Sequence, residues 1–355
     1  MLLDYLFTDE PDASGEFSLV RVSRRAMATT FEIAIPVGSH PNPVASAEAA
    51  LALIDTLEDQ MTVYREHSEV SQLNASATDT FVGVEPHLFE LFTRCAVWTK
   101  ETGGAFDIAT GALTAVWGFQ QRDPHVPETR ALVEAMRTTG FRHVMLNADR
   151  HEVKFRVAGV KLNLGAVGKG YALDRAAELL RTEWGVRSAL LHAGGSSVCA
   201  IGAPPGDERG WPIRLKHPTS VDESLGVVRL SNAGLGTSAA TFQYFEYNGR
   251  NLGHLLDPRT GWPAHGTASA SVVAPTAAEA DAMSTAAFVL GASGAEALTR
   301  LRPALGAVVL SEEANPECQR RGATPNHPVA DTPGSPGLFA FNFAPDVYSP
   351  PDHAD

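Results

Sequence analysis

Cysteine is scarce: Cys95, Cys199 and Cys318 are the only 3 in 355 residues. An odd, widely spaced set gives neither a disulfide framework nor a zinc cluster, and it fits buried or free thiols in a reducing compartment. No apolar run reaches the ~18 residues of a membrane span. The opening MLLDYLFTDEPDASGEF is interrupted by Asp4, Asp9 and Glu10 and has no basic lead, so it shows no recognisable signal peptide. With Cys95 the first cysteine, no thiol near the start is available for lipidation. The expected location is therefore the cytoplasm. Positive charge is also in short supply, with 28 Lys plus Arg against 41 Asp plus Glu, a net of −13. That balance disfavours broad contact with nucleic acid or anionic membranes, while a local basic pocket for a phosphate remains compatible with it.

What is present is the composition of a compact protein, 44% hydrophobic and 19% charged. The length suits about two domains or one large one. Two strands are expected over 17–37, the second being TTFEIAIP with Phe31, Ile33 and Ile35 alternating. Apolar residues at three- and four-residue spacing predict helices over 44–61, 87–101 and 128–138. A strand pair is expected at 143–148 and 152–157, a strand at 160–164 (VKLNL), and a helix from Tyr171 to Trp184. Further strands are expected at 188–192, 198–202, 212–216, 226–231, 241–247, 268–273 and 307–310. The helix over 277–290 opens with Thr276 and Glu279, the spacing of a capping box. Residues 312–337 form a Pro-rich insert, the alternation of Phe339, Phe341 and Phe343 suggests a final strand, and 345–355 are expected to be a disordered tail. Strands and helices mix without strict alternation, so the fold class is α+β.

Two nucleotide motifs fail on context. Gly234-Leu235-Gly236-Thr237-Ser238-Ala239 fits a dinucleotide fingerprint in letters, but strand-like TFQYFEYNGR follows where a helix is required. Gly165-Ala166-Val167-Gly168-Lys169-Gly170 lacks the length and the Ser or Thr of a phosphate-binding P-loop. The second segment still has physical content. A glycine turn running into a helix offers free N–H groups at Gly168–Tyr171, and Lys169 adds a charge able to pair with a pyrophosphate. An ordinary Gly-rich turn with a solvated lysine is the other reading.

Asp281 and Thr285 share one face of an apolar helix, and a carboxylate in such surroundings needs a partner. A hard cation is one partner and helix capping is another. In HLLDPRTG (254–261), Asp-Pro opens a turn that Gly261 can close at positive φ, and His254 beside it is either a general base or a structural histidine. Gly103 and Gly104, with Phe106, Trp117 and Phe119, fit a flat-ring pocket or a core, and Tyr64 is placed to stack on an aromatic ligand or to pack.

Taken in order over about residues 20–311, the segments MATTFEIAIP, MTVYREHSEVSQLN, GGAFDIATGALTAVWGF, NLGAVGKGYALD, LLHAGGSS, GTSAATFQYF, HLLDPRTG and EADAMSTAAFVLG resemble the ApbE family of FAD:protein FMN transferases. The resemblance implies a T-fold-like α+β architecture of mixed sheets and packed helices, with residues 1–19 as an extension before the catalytic domain. It implies a magnesium-dependent reaction in which FAD is split at its pyrophosphate. FMN then passes to a Thr or Ser of an acceptor flavoprotein, and AMP leaves. It places FAD against Met27, Tyr64, Ala105, Phe106, Asp107, Asn163, Lys169 and Leu255. It places magnesium on the Ala166 carbonyl, Asp281 and Thr285, and makes His254 the base, with Lys169 neutralising phosphate charge. Members of that family are often exported and lipid-anchored, which sets a periplasmic or membrane-anchored location beside the cytoplasmic expectation. This chain has Asn163 for a usual Asp, Ser196 for a usual Asp or Asn, Ala239 for a usual Gly in Thr-Ser-Gly, and Ala28 for a usual Gly. An FAD pyrophosphatase releasing FMN and AMP, or a non-catalytic FAD-binding protein, would use the same residues.

Overall fold

The computed structural model describes residues 17–220, 223–239, 244–247, 250–312, 337–344 and 347–350. The first hairpin joins β1 (Leu19–Ala26) to β2 (Thr29–Pro36) in antiparallel register, Ala26 opposite Thr29. Its two-residue turn is Met27-Ala28, with φ of 48° and 59°. Positive φ at both positions is the turn geometry that follows the natural twist of a hairpin.

Four helices come next: α1 (Pro43–Met61), α2 (Glu69–Ser76), α3 (Pro86–Glu101) and α4 (Gly111–Val116), with the two-residue strand β3 (Val82–Gly83) between α2 and α3. Helix α5 (Thr129–Thr138) precedes the strand pair β4 (Val144–Asn147) and β5 (Glu152–Phe155), which meets β3 in a small sheet. Then come α6 (Gly168–Thr182), β6 (Ala189–Ala193), β7 (Ser197–Ile201), β8 (Trp211–Lys216), β9 (Ser224–Leu230) and β10 (Gly234–Ala239). A hairpin of β11 (Tyr244–Tyr247) and β12 (Arg250–Gly253) leads to β13 (Thr267–Ala274), α7 (Ala277–Leu301) and β14 (Gly306–Ser311). Strands β15 (Leu338–Phe341) and β16 (Tyr348–Ser349) complete the described chain.

The organising layer is an eight-stranded antiparallel sheet in the order β1-β2-β6-β7-β10-β13-β14-β15. Strand side chains alternate between faces, and here both faces are buried. Ile33, Ile35, Leu191, Cys199, Ile201, Ala307 and Val309 enter the larger core under α1, α6 and α7. Their neighbours Ala34, Leu190, Val198, Ala200, Val308 and Leu310 enter a second core. That second core is closed by Trp211, Ile213 and Leu215 of β8 and Leu225, Val228 and Leu230 of β9. Aromatic residues form a third cluster, in which Trp117 packs with Leu113 and Ala135 against Phe119, Phe245 and Leu256.

Most expected elements are found, and the capping box is real: Glu279 N–H donates to Thr276 Oγ1 at 3.2 Å. Several differ. VKLNL joins no sheet, because its backbone is paired elsewhere. Leu162 exchanges bonds of 2.7 and 3.0 Å with the Asn74 side chain, and Asn163 N–H donates to Ile108 O at 2.7 Å. Helix α6 starts at Gly168 rather than Tyr171, and α7 runs on to Leu301 through a break at Gly291, where φ is 71°. Phe106 and Trp117 are fully buried core side chains, not the walls of a flat-ring pocket. Within the stretch expected to be a disordered tail, Tyr348 and Ser349 pair with β9. Residues 313–336 of the Pro-rich insert, together with Cys318 and residues 241–243 of an expected strand, lie outside the described residues.

Close packing of α7 requires the absence of side chains. A Cβ on Gly170 would stand 2.2 Å from Ala277 O, and one on Gly236 would stand 2.5 Å from Ala280 C. The letters that mimic a dinucleotide fingerprint are therefore a strand, β10, whose glycines let a helix lie against it. Gly170→Ala is expected to destabilise the fold by roughly 1–3 kcal/mol, the usual cost of overpacking. Gly83→Ala, where nothing lies within 4 Å, should be close to neutral by comparison in urea denaturation. Ala28→Gly should stabilise by about 1 kcal/mol, the strain of an L-residue at positive φ, read as a higher Tm.

Candidate active site

Between the N-terminus of α6, the ends of β7, β10 and β13, the start of α7 and the strand β8 lies a cleft of about 900 Å³. That volume is in the range that encloses a small organic ligand. Its floor is set by Asp281. This carboxylate is buried, and one oxygen, Oδ2, accepts both Gly170 N–H at 2.8 Å and Ser197 O–H at 3.0 Å. Burial pushes the carboxyl up to about 6, against the opposing pull of the Lys169 charge, the Ser197 hydroxyl and the Gly170 N–H. One turn on, Thr285 Oγ1 donates to Asp281 O at 3.1 Å, and Ser238 Oγ on β10 lies 3.4 Å from the same hydroxyl.

Helix α7 is held in place by a second carboxylate. Asp174 of α6 accepts from Ala277 N–H at 2.8 Å and Ala278 N–H at 2.9 Å, the open end of α7. It too is pushed up to about 6 by burial, although both N–H bonds favour its ionised form.

The expected cradle of free N–H groups at the start of α6 is largely spent. Gly168 N–H goes to Leu164 O, Gly170 N–H to Asp281, and Tyr171 N–H to Val167 O. An anion here would meet the Lys169 ammonium and the positive end of the helix more than a nest of donors.

Of the residues singled out in the sequence, Met27, Tyr64, Asn163, Ala166, Lys169, His254, Leu255, Asp281 and Thr285 all line this cleft. Tyr64 is 72% exposed, an aromatic ring offered to solvent at the rim. Asn163 is fixed by a bond from Gly165 N–H to Oδ1 at 2.9 Å, so the amide replaces a carboxylate without leaving the turn unpaired. Phe119 meets the His254 ring edge-on at 6.5 Å. Trp117 Nε1 donates to Gly261 O at 2.8 Å, and Gly261 closes its turn at φ 77°.

Ala105, Phe106 and Asp107 do not line the cleft. Ala105 and Phe106 are core residues, and the Asp107 carboxylate accepts Ala109 N–H at 2.7 Å and Phe141 N–H at 2.8 Å. The turn they build presents Ile108 O to Asn163 N–H, so their link to the cleft runs through Asn163. Ala239 sits in β10 opposite Ser269, and it is not among the residues at positive φ, so no turn there requires glycine. Ser196 also lines the cleft, after Gly194 and Gly195 at φ of 60° and 75°.

Sequence reading missed Ser197, Ser238, Arg214, Lys216 and His217 among the cleft residues and their partners. Only the alternation in WPIRLK hinted at the basic pair, by turning Arg214 and Lys216 away from a face of Trp211, Ile213 and Leu215. The lining carries Lys169, Arg214 and Lys216 against Glu58 and Asp281, a locally cationic site in an acidic chain.

A magnesium ion is implied by the resemblance. Among the described residues, no three or more His, Cys, Asp or Glu side chains are grouped to hold a metal. A hard cation needs less from the protein, since it accepts carbonyl, hydroxyl and substrate phosphate oxygens. The donor set fits: Asp281 commits Oδ2 to the protein and keeps Oδ1, Thr285 keeps its lone pairs, and Ala166 adds a carbonyl. A buried carboxylate held high at about 6 is also one that a cation would stabilise.

A raised carboxyl pKa costs stability as pH rises. Between the unfolded value near 4 and the folded value of about 6, the native state binds more protons, so stability falls with pH and then levels above 6. Asp281→Asn keeps an oxygen for Gly170 and Ser197 but carries no charge. With chelator present at pH 8, it is expected to be about 1–3 kcal/mol more stable than the parent, and at pH 4 the two should melt together. A lower Tm for the variant at pH 8 would show that the charge is not a burden.

Comparison with known proteins bears on family and fold. The ApbE family model matches residues 27–309. An FAD:protein FMN transferase of Treponema pallidum is 34% identical over 286 residues, covering 76% of this chain and 78% of that protein. The enzyme of that name from Escherichia coli is 27% identical over 297 residues, covering 82% and 84%. Among solved structures, the ApbE protein of Thermotoga maritima superposes with a TM-score of 0.75 at 29% identity, over 83% of this chain and 94% of that one. The flavinyl transferase ApbE of Pseudomonas stutzeri, in its apo form, gives 0.74 at 27% identity over 84% and 92%. With the family model spanning most of its length and the same α+β fold around the cleft, this chain belongs to the ApbE family.

Proposed function

We propose that this chain is an FAD:protein FMN transferase, which binds FAD in the cleft, transfers FMN to a Thr or Ser hydroxyl of an acceptor flavoprotein and releases AMP. The observation that carries this reading is the convergence of Lys169, His254, Asp281 and Thr285, from three separate segments, on one cleft of about 900 Å³.

In this reading Tyr64 stacks on a flat ring of FAD at the rim, where an exposed aromatic otherwise gains nothing. Met27 and Leu255 supply apolar walls, and Asn163 offers both donor and acceptor to polar edges. Ala105, Phe106 and Asp107 act on FAD through the turn that fixes Asn163. Splitting a phosphoanhydride is mostly a matter of placing positive charge on phosphate oxygens, and Lys169 does so from the start of α6. Magnesium, held by the Ala166 carbonyl, Asp281 and Thr285, would supply Lewis-acid neutralisation of those oxygens when bound.

A Thr or Ser hydroxyl is a poor nucleophile until its proton is taken, and His254 is the base. The hydroxyl oxygen attacks the phosphorus on the FMN side, and His254 receives its proton. The bond from that phosphorus to the AMP oxygen breaks, and AMP carries away the second phosphate. The partners in this reading are FAD and a flavoprotein acceptor; no helix among the described residues is long and apolar enough to cross a membrane.

The test is incubation with FAD and magnesium, with and without a threonine-bearing flavoprotein acceptor, following AMP and acceptor mass. An acceptor heavier by one FMN with AMP released is the expected outcome. AMP released to the same extent without labelling would make the chain a pyrophosphatase, and retained FAD without AMP would make it a flavin-binding protein. His254→Ala should keep FAD binding and slow transfer by ~10²–10⁴-fold. Asp281→Ala should lose both metal binding and AMP release.

A further inference from the structure

The wall of the cleft formed by β8 carries charge that the proposed reaction does not use. Burial alternates along the strand: Trp211, Ile213 and Leu215 sink into the second core, while Arg214 is half-buried and Lys216 exposed. Side chains two apart on a strand share a face, so Arg214 and Lys216 stand together, and both line the cleft, as does His217 at the strand's end. The proximity is felt: burial, with the Arg214 charge adding to it, holds the Lys216 ammonium below its ordinary value.

Other arginines near β8 and β9 have a carboxylate partner. Arg209 and Arg229 share the Asp207 carboxylate, at 2.8 and 2.6 Å. Arg214 is different: its Nε is buried with no hydrogen-bond partner among the described residues. A buried guanidinium donor left unmade is costly, and it is tolerated where a ligand completes it. His217 adds a donor of fixed identity. Its Nδ1 accepts Ser220 N–H at 3.1 Å and Thr219 N–H at 3.4 Å, which leaves Nε2 carrying the proton of the neutral ring.

We infer that Arg214, with Lys216 and His217, forms a second anion subsite of the cleft, on β8, which takes a phosphate group of the dinucleotide while Lys169 takes the other. A guanidinium fork matches two phosphate oxygens at once, which an ammonium does not. The two phosphates end on different products, one on FMN and one on AMP, so a second subsite holds the leaving half apart from the transferred half. This inference rests on FAD being the substrate.

The test is calorimetric binding of FAD, AMP and FMN, each without acceptor and with chelator, to the parent chain and to Arg214→Gln and Arg214→Lys. Arg214→Gln is expected to weaken FAD by ~10–100-fold, the scale of a charge-assisted hydrogen bond, with Arg214→Lys recovering part of it. A matching loss for AMP alone assigns the subsite to the adenylate phosphate, and a loss for FMN alone assigns it to the riboflavin phosphate. Both variants should melt within a few degrees of the parent, so that lost affinity is not lost fold. Unchanged affinity for all three nucleotides overturns the subsite, including the case where only the KM for the acceptor rises. If the parent chain itself binds no FAD, it is the transferase reading that fails instead.

Discussion

The Asp281 carboxylate is the constraint on which the rest of the site depends. Through Oδ2 it receives an N–H from the first turn of α6 and an O–H from β7, and it belongs to α7, so three elements meet on one oxygen. Such a meeting is possible only where backbones approach closely. Gly170 and Gly236 supply the space, and the alanines of α7 keep its surface flat. Asp174 then fixes the axial position of α7 by taking its first N–H groups. The arrangement is costly, because two carboxylates are buried and both are pushed up to about 6 by that burial.

Electrostatics follow the same local logic. The chain is acidic as a whole, with a net of −13, yet three cations face two carboxylates around the cleft. Net charge describes solubility and long-range steering, while recognition of a phosphate is decided within a few ångströms. The aromatic cluster of Trp117, Phe119 and Trp262 packs beside the cleft: Trp117 donates to the 254–261 turn, and Phe119 meets the His254 ring edge-on.

The sequence by itself determined the elements whose hydrophobic pattern has a clear period. Helices α1 and α3 and the hairpin β1–β2 were legible from apolar spacing of 3.6 or 2 residues, α7 from its Thr276–Glu279 cap, and the strands around Leu190 and Val308, buried on both faces, as short apolar runs. The segments Met27, Tyr64, Asn163–Lys169, His254–Leu255 and Asp281–Thr285 were legible as an ordered set of motifs. Tertiary structure alone decided the rest. β10 is a strand although Gly234, Gly236 and Ser238 have little preference for one, because β7, β13 and α7 enclose it. VKLNL is not one, because Asn74 and Ile108 claim its backbone. The helix-start donors at Gly168–Tyr171 are consumed by partners up to 111 residues away, and the basic wall of β8 faces the cleft only because its other face closes a second core. Periodicity reports which side of an element is buried; which neighbour buries it, and which donors remain for a ligand, depends on contacts between residues far apart in the chain.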